Sequence, residues 1–204
     1  MGIDLASTDA PFGFIPYGNV LSANIYAIVT AYGTAVYTGD AAEIGGTAIT
    51  TKLYGTIQNM QVEETGAAGS MLGAVLALFD STGMPASYIA SSTTGDSTVA
   101  GYALVADHPL QKYLVAENGV TSSIVVANIG LNVDGVSTHA GDTNTGRSKM
   151  EIDSNTVADT ATLAWKLLGV HPDDTISAAG TAGNHCRFIV MPNSAHIAPN
   201  VVGA

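Results

Sequence analysis

Basic charge is scarce in this sequence: six Lys and Arg stand against seventeen Asp and Glu, for a formal net charge of −11. Nucleic-acid binding draws much of its affinity from Lys and Arg displacing counterions from phosphates, so no nucleic-acid partner is expected. Charge of either sign is sparse, at 11 % of residues, less than half the usual share of about 25 %. Outward positions must then be filled largely by Thr, Ser, Asn, Gly and Ala. Such short side chains lose little rotamer entropy when immobilised and leave the backbone within reach, which suits a surface covered by neighbours. Secretion or a salt-tolerant source would produce a similar surface on a monomer. The single cysteine, Cys186, excludes an intrachain disulfide framework and leaves the redox compartment open. The longest apolar stretch, Met71 to Phe79, is too short to cross a bilayer, and the first ten residues carry Asp4 and Asp9 with no basic segment. Neither a membrane partner nor a signal peptide is expected.

Catalytic signatures are missing too. The chain has no Gly-x-Gly-x-x-Gly, no Gly-Lys-Ser/Thr phosphate loop, no Gly-x-Ser-x-Gly, no His-Glu-x-x-His and no Cys-x-x-Cys. Active sites can be assembled from distant residues, so these absences lower the expectation of an enzyme without removing it. No enzyme activity and no cofactor are expected. For metals, His185 and Cys186 stand near His171 and His196 in sequence. Adjacent residues on a strand point to opposite faces, so the reading is Cys186 as core filler, His185 outward and no metal ligands. His108, His139 and His171 sit in turn-like settings as cap or solvent residues. Asp142 to Arg147 and Asp173-Asp174 lack the ligand spacing of a calcium loop; Asp and Asn there are read as turn formers that bond to nearby backbone amides.

What the chain does have is a β cadence. Short segments rich in Val, Ile, Tyr and Thr (25–32, 35–38, 47–53 and 56–62) are punctuated by Gly33, Gly39, Gly45, Gly46 and Gly55. The run 70–79 permits a helix by composition, but Gly73 and Val75 weaken that reading and its length suits a buried strand. Further strands are expected at 101–106 and 111–116, with Asn118-Gly119 as a hairpin turn, then at 124–126, 129–134, 149–152, 160–170 and 186–191. Leu163, Trp165 and Leu167 alternate with Thr162, Ala164 and Lys166, the pattern of a half-buried strand with Trp165 as core anchor. A helix starting after Asp159 is the competing reading. The fold class expected is mainly β, an antiparallel β-barrel or β-sandwich with an extended N-terminal arm.

That arm, residues 1–22, holds Phe12, Phe14 and Ile15 between Pro11 and Pro16, with Tyr17 just beyond, and the prolines disfavour a continuous helix. Apolar side chains on an arm need a groove, on their own domain or on another subunit. Phe12, Phe14, Ile15 and Tyr17 are the candidate interface anchors, since aromatics bury large area with few torsions to freeze. Residues 23–204 form the β-rich domain, with two β modules divided near 91–120 as an option. Residues 1–110 hold nine acids and one base, Lys52, against eight acids and five bases in 111–204. An acidic front half suits either a basic partner surface or plain solvation.

Three stretches carry a resemblance: Gly101-Tyr-Ala-Leu-Val-Ala-Asp-His-Pro109; Asn128-Ile-Gly-Leu-Asn-Val-Asp134; and Thr145-Gly-Arg-Ser-Lys-Met-Glu-Ile-Asp153 leading into Thr160 to Val170. In that order they resemble a family of virion proteins of short-tailed bacteriophages and related marine and cyanobacterial phages, which accompany the major capsid protein as cement or decoration. The likeness covers roughly residues 95–195, with Pro172-Asp173-Asp174 and Arg187-Phe-Ile-Val190 as later counterparts. Trp165 and the tail 195–204 depart from the pattern. The resemblance implies a structural protein of the virion, on the outer capsid surface, that stabilises contacts between major capsid protein subunits. It also implies self-association, with a homotrimer as the form that fits threefold positions of a shell. The alternative is a tail- or fibre-associated β module binding a host-surface glycan or protein.

Overall fold

A computed structural model describes residues 9–30, 32–62, 71–91, 99–120, 122–137, 139–176 and 184–193. The polar run 91–98, read from its composition as a surface loop, lies outside the described residues except for Ser91, as do His196 and the tail 195–204. The first strands in chain order are β1 (Ile15–Pro16), β2 (Asn24–Val29), β3 (Val36–Tyr37), β4 (Ala41–Ile44), β5 (Ile49–Thr51), β6 (Gly55–Ile57) and β7 (Met60–Val62). The middle of the chain supplies β8 (Met71–Asp80), β9 (Pro85–Ala86), β10 (Tyr88–Ile89), β11 (Val99–Ala106) and β12 (Tyr113–Ala116). The last are β13 (Asn132–Val133), β14 (Gly135–Val136), β15 (Glu151–Ile152), β16 (Trp165–Val170) and β17 (Arg187–Pro192).

Two antiparallel sheets dominate. One runs β2-β11-β8-β4-β7, with β9 paired to β8; the other runs β1-β12-β17-β16-β13. They share one core to which Val75, Ala103 and Val105 of the first sheet and Tyr113, Trp165, Leu167, Phe188 and Val190 of the second contribute. Tyr113 ties the two together: its hydroxyl donates to the Ala106 carbonyl at 2.6 Å, and burial holds the phenol protonated by raising its pKa. The first sheet curls until β2 meets the residue before β7 at a single parallel bridge, Ala27 to Asn59. Among the described residues no sheet closes into a barrel, so of the two expected β architectures the sandwich is the better supported.

Side-chain patterns explain which segments become which strands. β17 alternates strictly, with Phe188, Val190 and Pro192 inward. β8 and β11 read as near-continuous apolar runs because they are interior strands of their sheet, and Tyr102 on β11 is also covered outside, packing with Ala27, Val99, Ile49 and Ile57. The strand reading of 70–79 therefore holds, and so does that of Trp165 as a core anchor. The strand there starts at Trp165, later than the expected 160, because residues 161–164 form a turn.

Three local expectations are corrected. Asn118-Gly119 does not close a hairpin. β12 pairs with β1 and with the distant β17 rather than with the next strand in the chain, and Gly119, at φ +56°, passes so close to Asn184 that a Cβ would lie 2.0 Å from its carbonyl oxygen. The Asn118 side chain instead accepts from the backbone N–H and hydroxyl of Ser154. Residues 124–126 are not a strand; Val126–Asn128 is a 3₁₀ turn closed by Asn128 Oδ1 on the Val125 N–H. The expected strand 56–62 is two, β6 and β7, in different sheets.

Candidate functional site

The N-terminal segment is built into the domain. Gly13, at φ +76°, lets the chain turn against Ser148 and Gly39, where a Cβ would come within 2.6 Å of Ser148 Cβ and 2.7 Å of the Gly39 carbonyl oxygen. Phe14 N–H then donates to Gly39 O at 2.8 Å, and β1 adds to the edge of the second sheet with Ile15 opposite Leu114 and Pro16 opposite Tyr113. Phe14 is 1 % exposed, its ring stacked on Trp165 with centroids 4.3 Å apart and planes 18° apart. Such a pair contributes about 0.5 to 1.5 kcal/mol beyond its area burial. A cleft of about 370 Å³ opens under the arm, between Phe12 and Pro16 on one side and Thr38, Leu76 and Arg147 on the other.

The four candidate anchors therefore divide. Phe14 fills its own core and Phe12 is half-buried, whereas Ile15 and Tyr17 are each 38 % exposed. Val20, Leu21 and Leu110 are exposed as well. Backbone and side-chain links hold these residues along one edge: Tyr17 N–H donates to Lys112 O at 2.8 Å, and Leu21 N–H to Gln111 Oε1 at 2.9 Å. Composition signalled the aromatic arm but missed Val20, Leu21 and Leu110, which only the β1–β12 pairing brings alongside. A separate group of exposed apolar side chains, Leu53, Tyr54 and Met84, sits at loop tips over the first sheet, where Tyr54 packs edge-on against Tyr102.

A second constellation gathers ionisable groups from distant parts of the chain. His139 Nε2 lies 3.7 Å from Asp9 Oδ2, and its Nδ1 lies 3.5 Å from Glu151 Oε2. Among the described residues this is the one group of three or more His, Cys, Asp or Glu side chains close enough to share an ion, its ligand atoms all within 4.8 Å of one another. His185 is not outward as expected. It is mostly buried, with Nδ1 3.3 Å from the Glu117 carbonyl oxygen and 3.9 Å from Asp9 Oδ1. Cys186 is fully buried, as core filler should be. His108 and His171 do act in turns, accepting from Leu110 N–H and Asp173 N–H, but His139 does more than face solvent.

Two further groups do what sequence reading does not assign: Glu117 is not singled out by it, and the Asp174 carboxylate, expected to bond nearby turn amides, pairs instead with Arg187 thirteen residues on. Glu117 follows β12 and is fully buried; Oε2 accepts from Ile124 N–H at 2.7 Å, and Oε1 has no hydrogen-bond partner. Burial raises its pKa from 4.5 to about 7, against the lowering effect of bonds from Ile124 and Cys186. Arg187 grips Asp174 with Nη2 on Oδ1 at 2.7 Å and Nε on Oδ2 at 3.1 Å, while its backbone N–H also donates to Oδ2. Burial pushes the Asp174 carboxyl up, but the Arg187 bonds outweigh it and hold the pKa below the ordinary value. Asp142 behaves as the turn former expected, accepting from Asn144 N–H at 2.9 Å. No triad of nucleophile, base and orienting acid is assembled among the groups described above. Comparison of the chain with protein-family models, with curated proteins and with solved structures gives no match.

Proposed function

We propose that this chain is a structural virion protein that binds the outer surface of a bacteriophage capsid and stabilises contacts between major capsid protein subunits. The observation that carries the proposal is the apolar edge formed by Ile15, Tyr17, Val20, Leu21 and Leu110, beside an edge strand only two residues long. Large apolar side chains aligned on a sheet edge are a contact surface in search of a partner, and the edge is anchored to the core through Phe14, so little ordering entropy is lost on docking. The low charge and small side chains of the surface, together with the resemblance carried by residues 95–195, point the same way. Many copies placed by shell symmetry turn modest contacts into durable attachment, and a homotrimer at threefold positions is the assembly that suits this role.

Co-sedimentation of the purified chain with empty shells of the phage that encodes it tests the proposal. A saturable, fixed ratio of copies per major capsid protein that survives high salt is the expected result, because apolar contacts are not screened. Absence of binding would sink it. A second reading rests on Leu53, Tyr54 and Met84 at the loop tips: a tail- or fibre-associated module would use such tips to hold a host-surface glycan or protein, and a glycan array read with the Tyr54→Ala variant separates the two.

A further inference from the structure

We propose that Asp9, His139 and Glu151 form a site for a divalent transition metal of the zinc class, and that the ion pins the N-terminal segment to the domain. The donor set is one imidazole and two carboxylates, which suits Zn²⁺ and its neighbours more than Ca²⁺ or Mg²⁺, whose sites are built from oxygen alone. Cys186 offers no thiolate here; its sulfur faces the Thr175 carbonyl. Tetrahedral coordination with bonds of about 2.0 to 2.2 Å places neighbouring donor atoms about 3.3 to 3.5 Å apart. The His139 Nδ1 to Glu151 Oε2 distance is 3.5 Å, and all three ligand atoms lie within 4.8 Å of one another, so closing the shell on an ion needs movements of about an ångström.

Burial and orientation support the assignment. Glu151 is 1 % exposed, so an ion bound beside it would meet a carboxylate shielded from competing water. His139 is 45 % exposed, which leaves a path for an ion to enter and a position for water as fourth ligand. Asp9 Oδ2 faces His139, while Oδ1 lies 3.9 Å from His185 Nδ1, the nitrogen that also contacts the Glu117 carbonyl. Carboxylate ligands of a metal are themselves held by outer hydrogen-bonding groups, and His185 is the group nearest to Asp9 for that part. The ion would link Asp9, just ahead of Phe12 and Phe14, to β15 and to the loop that follows β14, holding the start of the arm where it docks. Without an ion, the same geometry is a histidine shared by two acids, and the experiment separates the two cases.

The full chain, stripped with chelator and returned to pH 7.5, is titrated calorimetrically with ZnCl₂ and followed by Co²⁺ absorption. The expected result is one ion per chain, visible Co²⁺ bands of four-coordinate nitrogen and oxygen ligation, and a raised unfolding temperature. His139→Ala, a change at a half-exposed residue that the core tolerates, should abolish stoichiometric binding, His185→Ala should weaken it by about 10- to 100-fold, and His171→Ala should leave it intact. Absence of saturable binding to the stripped chain, or equal binding by His139→Ala, would overturn the proposal.

Discussion

The two large antiparallel sheets differ in where their strands come from and in what gathers on them. The β2-β11-β8-β4-β7 sheet draws on residues 24–106, whereas the β1-β12-β17-β16-β13 sheet combines the start of the chain with its last described strand. The two most deeply buried carboxylates, Glu117 and Glu151, stand directly after β12 and within β15, and a bridge from Glu117 to Ile152 brings them into one neighbourhood. The Arg187 to Asp174 clamp sits at the start of β17, and the apolar edge runs along β1. The first sheet supplies bulk, while the buried carboxylates and the exposed apolar edge gather on and beside the second. A sheet assembled from distant segments is where side chains scattered through the sequence can converge.

The largest test of this division concerns Phe14. If the arm belongs to the core of the second sheet, Phe14→Ala should lower folding stability by about 3 to 5 kcal/mol in urea unfolding, on the scale of Leu78→Ala in the first sheet at about 2 to 5 kcal/mol. An arm that merely awaited a partner would make Phe14→Ala neutral. Deleting residues 1–18 is for the same reason a poor probe of shell binding, since it removes a core residue along with the exposed edge.

Next in size is the pH dependence seated at Glu117. The folded chain holds this proton up to about pH 7, while an unfolded chain releases it near 4.5. The group's stabilisation is therefore complete below pH 4.5 and is lost as pH rises through 7, a change of about 3 kcal/mol. Glu117→Gln keeps an acceptor for the Ile124 N–H and should remove this component, so wild type and variant converge in acid and the variant is the more stable at pH 8. A parallel fall in both proteins would place the titration elsewhere. Asp174 has the opposite sign: its lowered pKa stabilises above the unfolded carboxyl's range and is lost in acid. Asp174→Asn should cost about 1 to 2 kcal/mol at pH 7 and little at pH 3, the partial exposure of Arg187 keeping the figure small.

The smallest effect on stability is expected at the edge itself. Tyr17→Ala and Leu21→Ala should shift unfolding by less than about 0.5 kcal/mol, yet each should weaken shell binding by about 1 to 3 kcal/mol. Stability loss without binding loss would make the edge part of the fold and nothing more.

Individual strands were legible in the sequence because their signals are local. The apolar run 71–79, the alternation through Trp165 and Leu167, and the glycine punctuation of the first half each betray a strand through its own side chains. Pairing was not legible: nothing in Ile15-Pro16 names Leu114 and Tyr113 as partners, and Asn118-Gly119 shows hairpin chemistry while serving a turn that packs on Asn184. The site suffered for the same reason. Asp9, His139 and Glu151 have no sequence spacing that a motif could encode, and His185 looked outward because strand alternation says nothing about an arm laid across it.

Hydrogen exchange of the chain, free and bound to empty shells, tests most directly the claim that the second sheet's edge is the contact surface. The account predicts new protection concentrated in residues 15–22 and 110–114, with β8 and β11 unchanged. Protection centred on residues 49–57 and 81–84, with the β1 edge still exchanging freely, would contradict it.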